Sequence, residues 1–248
     1  MAFIFYNMSI ANLKKKLRRL GNKEKAKFLQ RFFKSGKGEY AEGDVLIGVS
    51  VPQSRKLAEE FKDLSLEEVE ELFHSKIHEE RLVALVILVS QFRRGDEKIR
   101  KKIFEIYLKN IAKNVNNWDL VDLSASNIVG AYLANKPRDI LRKLVRSNNL
   151  WEKRVSIVAT FYFIVKQQQA KDTYQLAEML LGDKHDLIHK AVGWMLREAG
   201  KNVSKKELIG FLDVYSGSMP RTMLRYSIEH FSPREKKYYM KKRERLTF

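Results

Sequence analysis

The chain is built from helices that are rarely interrupted. Segment after segment places apolar residues three and four positions apart, as in Leu66, Val69, Leu72 and Phe73, which is the spacing of one helix face. Only 4 Pro and 12 Gly occur in 248 residues, so long helices can form between the breakers. The pattern predicts about twelve to fourteen helices and no strand.

Equivalent positions recur along these helices at a nearly constant interval. When helices that begin with a polar pair are aligned, five residues fall in register, at spacings of 37, 36, 36 and 35: Arg81, Trp118, Arg154, Lys190 and Arg225. A unit of this length holds two helices and is typical of HEAT and armadillo repeats. The predicted fold is an all-α superhelical solenoid of stacked antiparallel helical hairpins, with one helix of each pair lining an inner surface.

The organisation of the chain follows from the positions of its helix-breaking Pro and Gly residues. We expect a single domain over residues 1–248, with N-terminal helical pairs at about 8–75 and core repeats at about 76–248. The irregular stretch from Ser35 to Pro52 is expected to be a loop, with Pro52 opening the next helix. The apolar opening at residues 1–6 lacks a basic region and a cleavage site, so we interpret it as a short extension and not a signal peptide.

The charge of the chain points to a polyanionic partner. Lys and Arg total 48 against 30 Asp and Glu, a formal charge of +18 that is spread along the chain. Such a field attracts a phosphate backbone and makes binding fall steeply with salt, although a ribosomal or membrane-surface role fits the same charge. The chain has no Cys, which excludes disulfides and thiolate metal sites and fits a reducing cytoplasm. We expect a cytoplasmic protein, associated with the nucleoid if it comes from a bacterium. The longest apolar run, Leu82 to Val89, is far below the ~20 residues of a membrane span.

A second set of positions lies one helical turn beyond the register residues: Leu85, Asp122, Val158, Trp194 and Glu229. Trp118 and Asp122 are four residues apart and therefore share a helix face. The solenoid is predicted to bring them beside Arg154 and the stripe formed by Lys190, Trp194 and Arg197. Two indoles then flank one carboxylate in a basic trough.

A carboxylate on such a surface suits a cationic ligand. Asp122 repels phosphate, but alkylation at guanine N7 or adenine N3 places positive charge on the base and weakens its bond to deoxyribose. Asp122 is predicted to stabilise an oxocarbenium-like transition state and to orient the attacking water. Trp118 and Trp194 are predicted to present their ring faces to the charged sugar.

Five segments of the chain form long motifs: Val-Asn-Asn-Trp-Asp-Leu-Val-Asp at 115–122, Leu150–Val155, Lys184–Glu198, Met219–Tyr226 and Ile77–Arg81. These motifs resemble those of the AlkD-type DNA alkylation repair enzymes. The resemblance implies a HEAT-like solenoid that removes cationic N3- and N7-alkylpurines from double-stranded DNA without a metal or nucleotide cofactor. It also implies contact with the backbone and sugar of the lesion in place of a pocket that holds the flipped base.

The resemblance assigns roles to individual residues. It makes Trp118 and Trp194 the aromatic pair that contacts the damaged nucleotide, Asp122 the catalytic carboxylate, and Arg154 a phosphate contact. Register and shared helix faces add further predicted DNA contacts at Arg81, Lys190, Arg197, Arg221 and Arg225. No metal site and no partner chain are expected, and a monomer suffices to wrap a duplex.

Several alternatives stay open at this stage. The alternative function is that of a non-catalytic HEAT-like module that binds duplex DNA or structured RNA through a basic concave face. The alternative role of Asp122 is that of a structural partner of Arg154. Trp151 lies off the inner stripe, so it is expected to pack between helices. The pairs His74/His78 and His185/His189 have the spacing of helical metal ligands, but neither carries the Glu of a zincin pattern.

Overall fold

The computed structural model describes residues 8–244, so the apolar extension predicted at residues 1–6 lies outside the described residues. Between these limits the chain forms fifteen α-helices and one π-helical segment. The β pairing recorded there is an isolated parallel bridge between Val45 and Ile77. The all-α fold predicted from the spacing of apolar residues is therefore confirmed.

The chain divides into two compact units, one ending at Ser124 and the other beginning at Ala125. The helices up to this division are α1 (Ile10–Arg19), α2 (Lys23–Phe32), α3 (Val51–Glu60), α4 (Leu66–Phe73), α5 (His78–Arg94), α6 (Glu97–Asn114) and α7 (Trp118–Ala125). The expectation of a single domain stays a prediction.

The second unit begins with the π-helical segment (Ser126–Gly130). Its α-helices are α8 (Asp139–Val145), α9 (Leu150–Val158), α10 (Phe161–Gln167), α11 (Lys171–Met179), α12 (Asp186–Asn202), α13 (Lys205–Tyr215), α14 (Arg221–Ser227) and α15 (Pro233–Glu244). The register residues fall on α5, α7, α9, α12 and α14, which alternate along the chain with α6, α8, α11 and α13, apart from the additional helix α10 between α9 and α11.

Local sequence explains where the helices begin. Ser65 and Glu68 form a capping box at the start of α4, with hydrogen bonds of 3.2 and 3.1 Å to each other's backbone N–H. Asn149 accepts hydrogen bonds from the backbone of the first turn of α9. Pro52 occupies the first turn of α3, where its missing N–H costs nothing. The predicted irregular stretch before Pro52 is confirmed as turns and loop.

Each unit has a central, largely buried helix. In the first unit α5 packs against α3, α4 and α6, and Val83, Leu85 and Ile87 are fully buried. In the second unit α12 packs against α9, α13 and α14, with Ala191, Val192 and Leu196 fully buried along it. Both helices belong to the register set. The side chains at the edges of their buried faces are the ones that each unit exposes to solvent.

Candidate functional site

Helix α7 carries two of the three predicted catalytic residues. Trp118 is its first residue and Asp122 follows one turn later, so their Cβ atoms lie about 6 Å apart on one face. Both side chains are partly exposed, whereas Leu120 and Val121 on the same helix are fully buried. The amphipathic character of α7 thus directs this pair toward the surface of the first unit.

The indole of Trp118 is held by the end of α2. Its ring centroid lies 5.9 Å from that of Phe32 in an edge-to-face arrangement and 5.5 Å from that of Phe33. The buried amide of Asn117 ties the two segments together, because it donates to the carbonyl of Phe33 at 3.2 Å and accepts from the backbone N–H of Trp118 at 2.9 Å. Ring contacts and amide together fix the position of the indole.

The negative charge of Asp122 shifts the pKa of a buried phenol. Tyr107 on α6 is fully buried, and its hydroxyl is hydrogen-bonded to Ser124 Oγ at 2.9 Å. Burial raises the pKa of the Tyr107 phenol, and the negative charge of Asp122 raises this pKa further against the lowering effect of Ser124. Tyr107 is therefore a neutral neighbour of Asp122 and brings no competing charge to it.

A network of buried charges lies behind this surface. His78 Nε2 is 2.9 Å from Asp119 Oδ2 and His78 Nδ1 is 3.6 Å from Asp44 Oδ2. Arg81 donates to Asp44 at 2.5 Å, to Asn116 at 2.9 Å and to the carbonyl of Ser75 at 2.8 Å. Burial raises the pKa of Asp44, but the neighbouring imidazole of His78 and the charge of Arg81 hold it below its usual range.

The structure corrects the prediction that Arg81 contacts DNA. Its side chain is 3% exposed and its guanidinium is committed to Asp44, so it reaches no phosphate in this arrangement. Leaving Asp44 unpaired in the interior is costly, which gives Arg81 a structural role. The pattern of equivalent helix positions could not reveal this, because the partner lies 37 residues earlier in a loop.

The histidine pairs form no metal site in the part of the chain that the structure describes. His78 is engaged by Asp119, and His74 is an exposed residue at the end of α4. His185 caps α12 by accepting from the backbone N–H of Leu187 at 3.1 Å, and His189 Nε2 lies 2.6 Å from the carbonyl oxygen of Asp183. These histidines organise helix ends and interior contacts.

Trp194 lies on α12 in the second unit, where it is partly exposed and packs on Phe161 at a centroid distance of 5.7 Å. The preceding residue, Gly193, allows α14 to approach closely, because a Cβ atom there would lie 2.6 Å from the carbonyl oxygen of Met223 and 2.5 Å from Tyr226 Cβ. Gly193 therefore helps to set the position of Trp194. That Trp194 joins Trp118 and Asp122 in one site stays a prediction.

The predicted phosphate contacts of the second unit have different surroundings. Arg154 is 4% exposed and donates to the carbonyl of Leu187 at 2.5 Å. Lys190 forms an exposed ion pair with Asp186 at 2.7 Å. Arg197 pairs with Glu198 at 2.8 Å and also with Glu229, and although burial lowers the pKa of Arg197, these two carboxylates raise it. DNA contacts by these cations stay predictions.

Arg221 and Arg225 lie one turn apart on α14, and both are exposed. Their spacing places both side chains on the same face. Of the cations predicted to contact DNA, these two have the most exposed side chains, and their contact with DNA stays a prediction.

Some determinants of the site were not foreseen from the sequence. Phe32, Phe33 and Asn117 position Trp118, and Gly193 adjoins Trp194. The sequence carries one signal for Phe32 and Phe33, because they are two adjacent Phe at the end of a strongly charged helix. The expectation that Trp151 packs between helices is confirmed, since it is 4% exposed.

Two of three comparisons with known proteins found a match. The profile of the family described as "DNA alkylation repair enzyme" matches residues 13–231. Among solved structures, the chain is similar to one titled "Predicted DNA alkylation repair enzyme from Enterococcus faecalis", with a TM-score of 0.68, 16% sequence identity, and coverage of 86% of this chain and 97% of that chain. At this identity the likeness shows the fold alone. The search of curated proteins returned no match.

None of the described helices is long and apolar enough to cross a membrane.

Proposed function

Because the chain belongs to the DNA alkylation repair enzyme family, we propose that it is a monofunctional DNA glycosylase for cationic N3- and N7-alkylated purines in double-stranded DNA. The observation that carries the proposal is the partly exposed Asp122, one turn from the fixed indole of Trp118 on α7. The chain bears a formal charge of +18, which attracts phosphate. A carboxylate on such a surface repels phosphate, so it is useful there only where it stabilises a positive charge.

The reaction breaks the bond between C1′ of deoxyribose and the purine nitrogen. The bonding electron pair leaves with the base, which becomes neutral, and positive charge moves onto the sugar as an oxocarbenium-like transition state. Asp122 stabilises this charge as a fixed anion. A water molecule then adds to C1′ and loses a proton to Asp122 or to solvent, which leaves an abasic site and the free alkylpurine. Tyr107 stays neutral throughout.

The tryptophans orient the nucleotide in this proposal. The ring face of Trp118 is electron-rich and attracts a cationic sugar, and its contacts with Phe32 and Phe33 prevent it from moving away. Trp194, packed on Phe161, is proposed to supply the second aromatic contact to the backbone of the lesion. Positioning of this kind lowers the entropic part of the barrier.

Exposed cations of the second unit are proposed to bind the backbone of the duplex. Arg221 and Arg225 on α14 are best placed because both are exposed. Lys190 and Arg197 would exchange their carboxylate partners for phosphate. Arg154 is buried and donates to the carbonyl of Leu187, so it is proposed to bind phosphate only after its side chain has turned outward. No cofactor enters the proposed reaction, and one copy of the chain carries it out.

The test is excision from N-methylated duplex DNA by Asp122→Asn. We expect release of 3-methyladenine and 7-methylguanine, measured by chromatography, to fall by about 100-fold or more, while affinity for DNA is preserved or rises. Asp139→Asn is the matched control, since Asp139 is an exposed aspartate in the first turn of another helix. Equal excision by Asp122→Asn and the wild type contradicts the proposal. If the wild type releases no base above spontaneous depurination, the chain is a DNA-binding module without this activity.

A further inference from the structure

Helix α15 lies beyond the residues that match the family. The family profile ends at residue 231, whereas α15 spans Pro233–Glu244. Its sequence, Pro-Arg-Glu-Lys-Lys-Tyr-Tyr-Met-Lys-Lys-Arg-Glu, contains six cations and two carboxylates. The proposed reaction assigns no role to this helix, so its positive charge needs an explanation of its own.

Two contacts hold α15 against α13. Glu235 forms an ion pair of 2.7 Å with Lys205 in the first turn of α13. Tyr239 is 4% exposed, and its hydroxyl donates to Asp213 Oδ1 at 3.2 Å. Because one side of α15 is fixed in this way, the helix presents a defined face to solvent.

The solvent-facing side of α15 carries a stripe of exposed side chains, which we call the α15 stripe: Arg234, Lys237, Tyr238 and Lys241. Spacings of three and four residues place them along one helix face. Within the described part of the chain, no carboxylate lies within ion-pair distance of the three cations. Exposed lysines elsewhere often do have such a partner, as in the pair of Lys102 with Glu67 at 2.7 Å.

The length of the α15 stripe suits a nucleic-acid strand. Arg234 and Lys241 are seven residues apart, which is about 10 Å along a helix axis. One strand of a DNA duplex carries a phosphate about every 3.4 Å of its axis, so the stripe can meet about three phosphates. Tyr238, which is 57% exposed between the cations, adds a hydroxyl that can donate to a phosphate oxygen.

The distribution of apolar residues on α15 favours DNA over an anionic membrane. Helices that lie on a membrane bury a broad apolar face between the lipid chains. On α15 the ring of Tyr239 is already buried in the protein, and the exposed side joins three cations to the single ring of Tyr238. The α15 stripe thus has the charge for a polyanion but lacks the apolar face for a bilayer.

We propose that the α15 stripe is a second contact with duplex DNA, which binds backbone phosphates whether or not the duplex is damaged. The inference rests on the proposed function, since DNA is the substrate there, but it assigns a surface that the reaction does not use. A contact with phosphates alone carries no preference for sequence or lesion. It would keep the protein on a duplex during the search and so raise the effective concentration of lesions on that duplex.

The test is the binding of an undamaged DNA duplex to the full chain, measured by fluorescence anisotropy at several salt concentrations. The variant replaces Arg234, Lys237 and Lys241 together by Ala. Each lost phosphate contact lowers the slope of log K against log salt by about 0.9, so we expect the slope to fall by about 2 to 3. Affinity at about 0.1 M salt should weaken at least tenfold.

The matched control removes the same charge from helices of the chain that alternate with the register set. It replaces three exposed cations of α6 and α8 by Ala: Lys98, Lys143 and Arg146. This variant should keep the wild-type slope, and thermal unfolding verifies that both variants are folded. An unchanged slope in the α15 variant overturns the inference. An equal fall in both variants also overturns it, because net charge alone would then explain the result.

Tyr238→Ala provides a second, uncharged test. It should weaken duplex binding by about two- to tenfold through the lost hydrogen bond while the salt slope stays as in the wild type, because no charge is removed. Val214→Ala, at a 71% exposed position of α13, should bind as the wild type does. Equal affinity of Tyr238→Ala and the wild type contradicts a contact through the whole stripe.

Two further measurements separate the outcomes. In the Asp122→Asn background, the α15 substitutions should lower the slope by the same amount, because the contact does not depend on excision. If the wild type releases no base but the α15 substitutions still lower the slope, the glycosylase proposal fails and this inference stands. If the α15 substitutions abolish binding to vesicles of anionic lipid and leave duplex binding unchanged, the stripe is a membrane contact and the inference is overturned.

Discussion

His78 on α5 and Asp119 on α7 are joined by a buried hydrogen bond of 2.9 Å. The ring of Phe33 stacks on the imidazole with centroids 4.9 Å apart. Burial lowers the pKa of His78, but the charge of Asp119, the hydrogen bond to Asp119 and the nearby carboxylate of Asp44 outweigh it and raise the pKa to about 9. The helix that carries Trp118 and Asp122 is thus fastened to α5 by an ion pair.

Stability should depend on the protonation of His78. Its pKa is raised from an ordinary 6.5 to about 9 in the fold, so its contribution is complete below pH 6.5 and is lost as pH rises through about 9. We expect the free energy of unfolding to fall by on the order of 3 kcal/mol across this window. Urea unfolding from mildly acidic to alkaline pH measures it. His78→Gln should flatten the profile, whereas replacing the exposed His230 by Gln should preserve it.

Arg81→Ala should destabilise the protein by about 3–5 kcal/mol, because it leaves the carboxylate of Asp44 buried without its cation. Arg225→Ala, at the equivalent register position of α14 and exposed, should change stability by less than about 0.5 kcal/mol. Denaturant unfolding of both variants compares the two. A small effect of Arg81→Ala would show that Asp44 finds other partners.

Arg225 should act on DNA affinity. Removing one phosphate contact lowers the slope of log K against log salt by about 1, so Arg225→Ala should weaken binding to duplexes of any sequence and reduce the salt dependence. Arg221→Ala should behave in the same way. Arg146, which is exposed at the end of α8, provides the control: its replacement by Ala should leave the slope unchanged, and fluorescence anisotropy at several salt concentrations measures all three.

Gly193 and Gly210 should respond oppositely to a methyl group. Gly193→Ala forces a Cβ atom to within 2.6 Å of the Met223 carbonyl oxygen, so we expect a loss of about 1–3 kcal/mol from overpacking and weaker excision as Trp194 shifts. Gly210 has open space around the same atom and lies within α13. Gly210→Ala should therefore stabilise the chain by about 0.5–1 kcal/mol. Thermal unfolding distinguishes the two directions.

The helices were predictable because their apolar periodicity is a local property of the sequence. The same holds for the place of Pro52 in the first turn of α3 and for the burial of Trp151. Residues four apart on α7 were also sufficient to place Trp118 and Asp122 on one face, since helix geometry alone fixes that relation.

The buried network was not predictable because its members are distant in sequence. Arg81 resembles the other register cations, and only the return of the loop carrying Asp44 removes it from the surface. His78 shares the spacing of a metal ligand with His74, yet its partner Asp119 lies 41 residues later. Charged residues in a repeat therefore need their tertiary partners before their roles can be assigned.

We expect the two aspartates of α7 to be under different selection. Asp119 fastens the helix through His78, so its loss would threaten every copy of the protein, whereas under the proposed function position 122 matters only while the chemistry is useful. In lineages that abandon base excision, drift should reach position 122 long before position 119. Descendants of that kind would keep the fold. Their loss of activity would be visible as a substitution at position 122, within one helical turn of an unchanged Asp119.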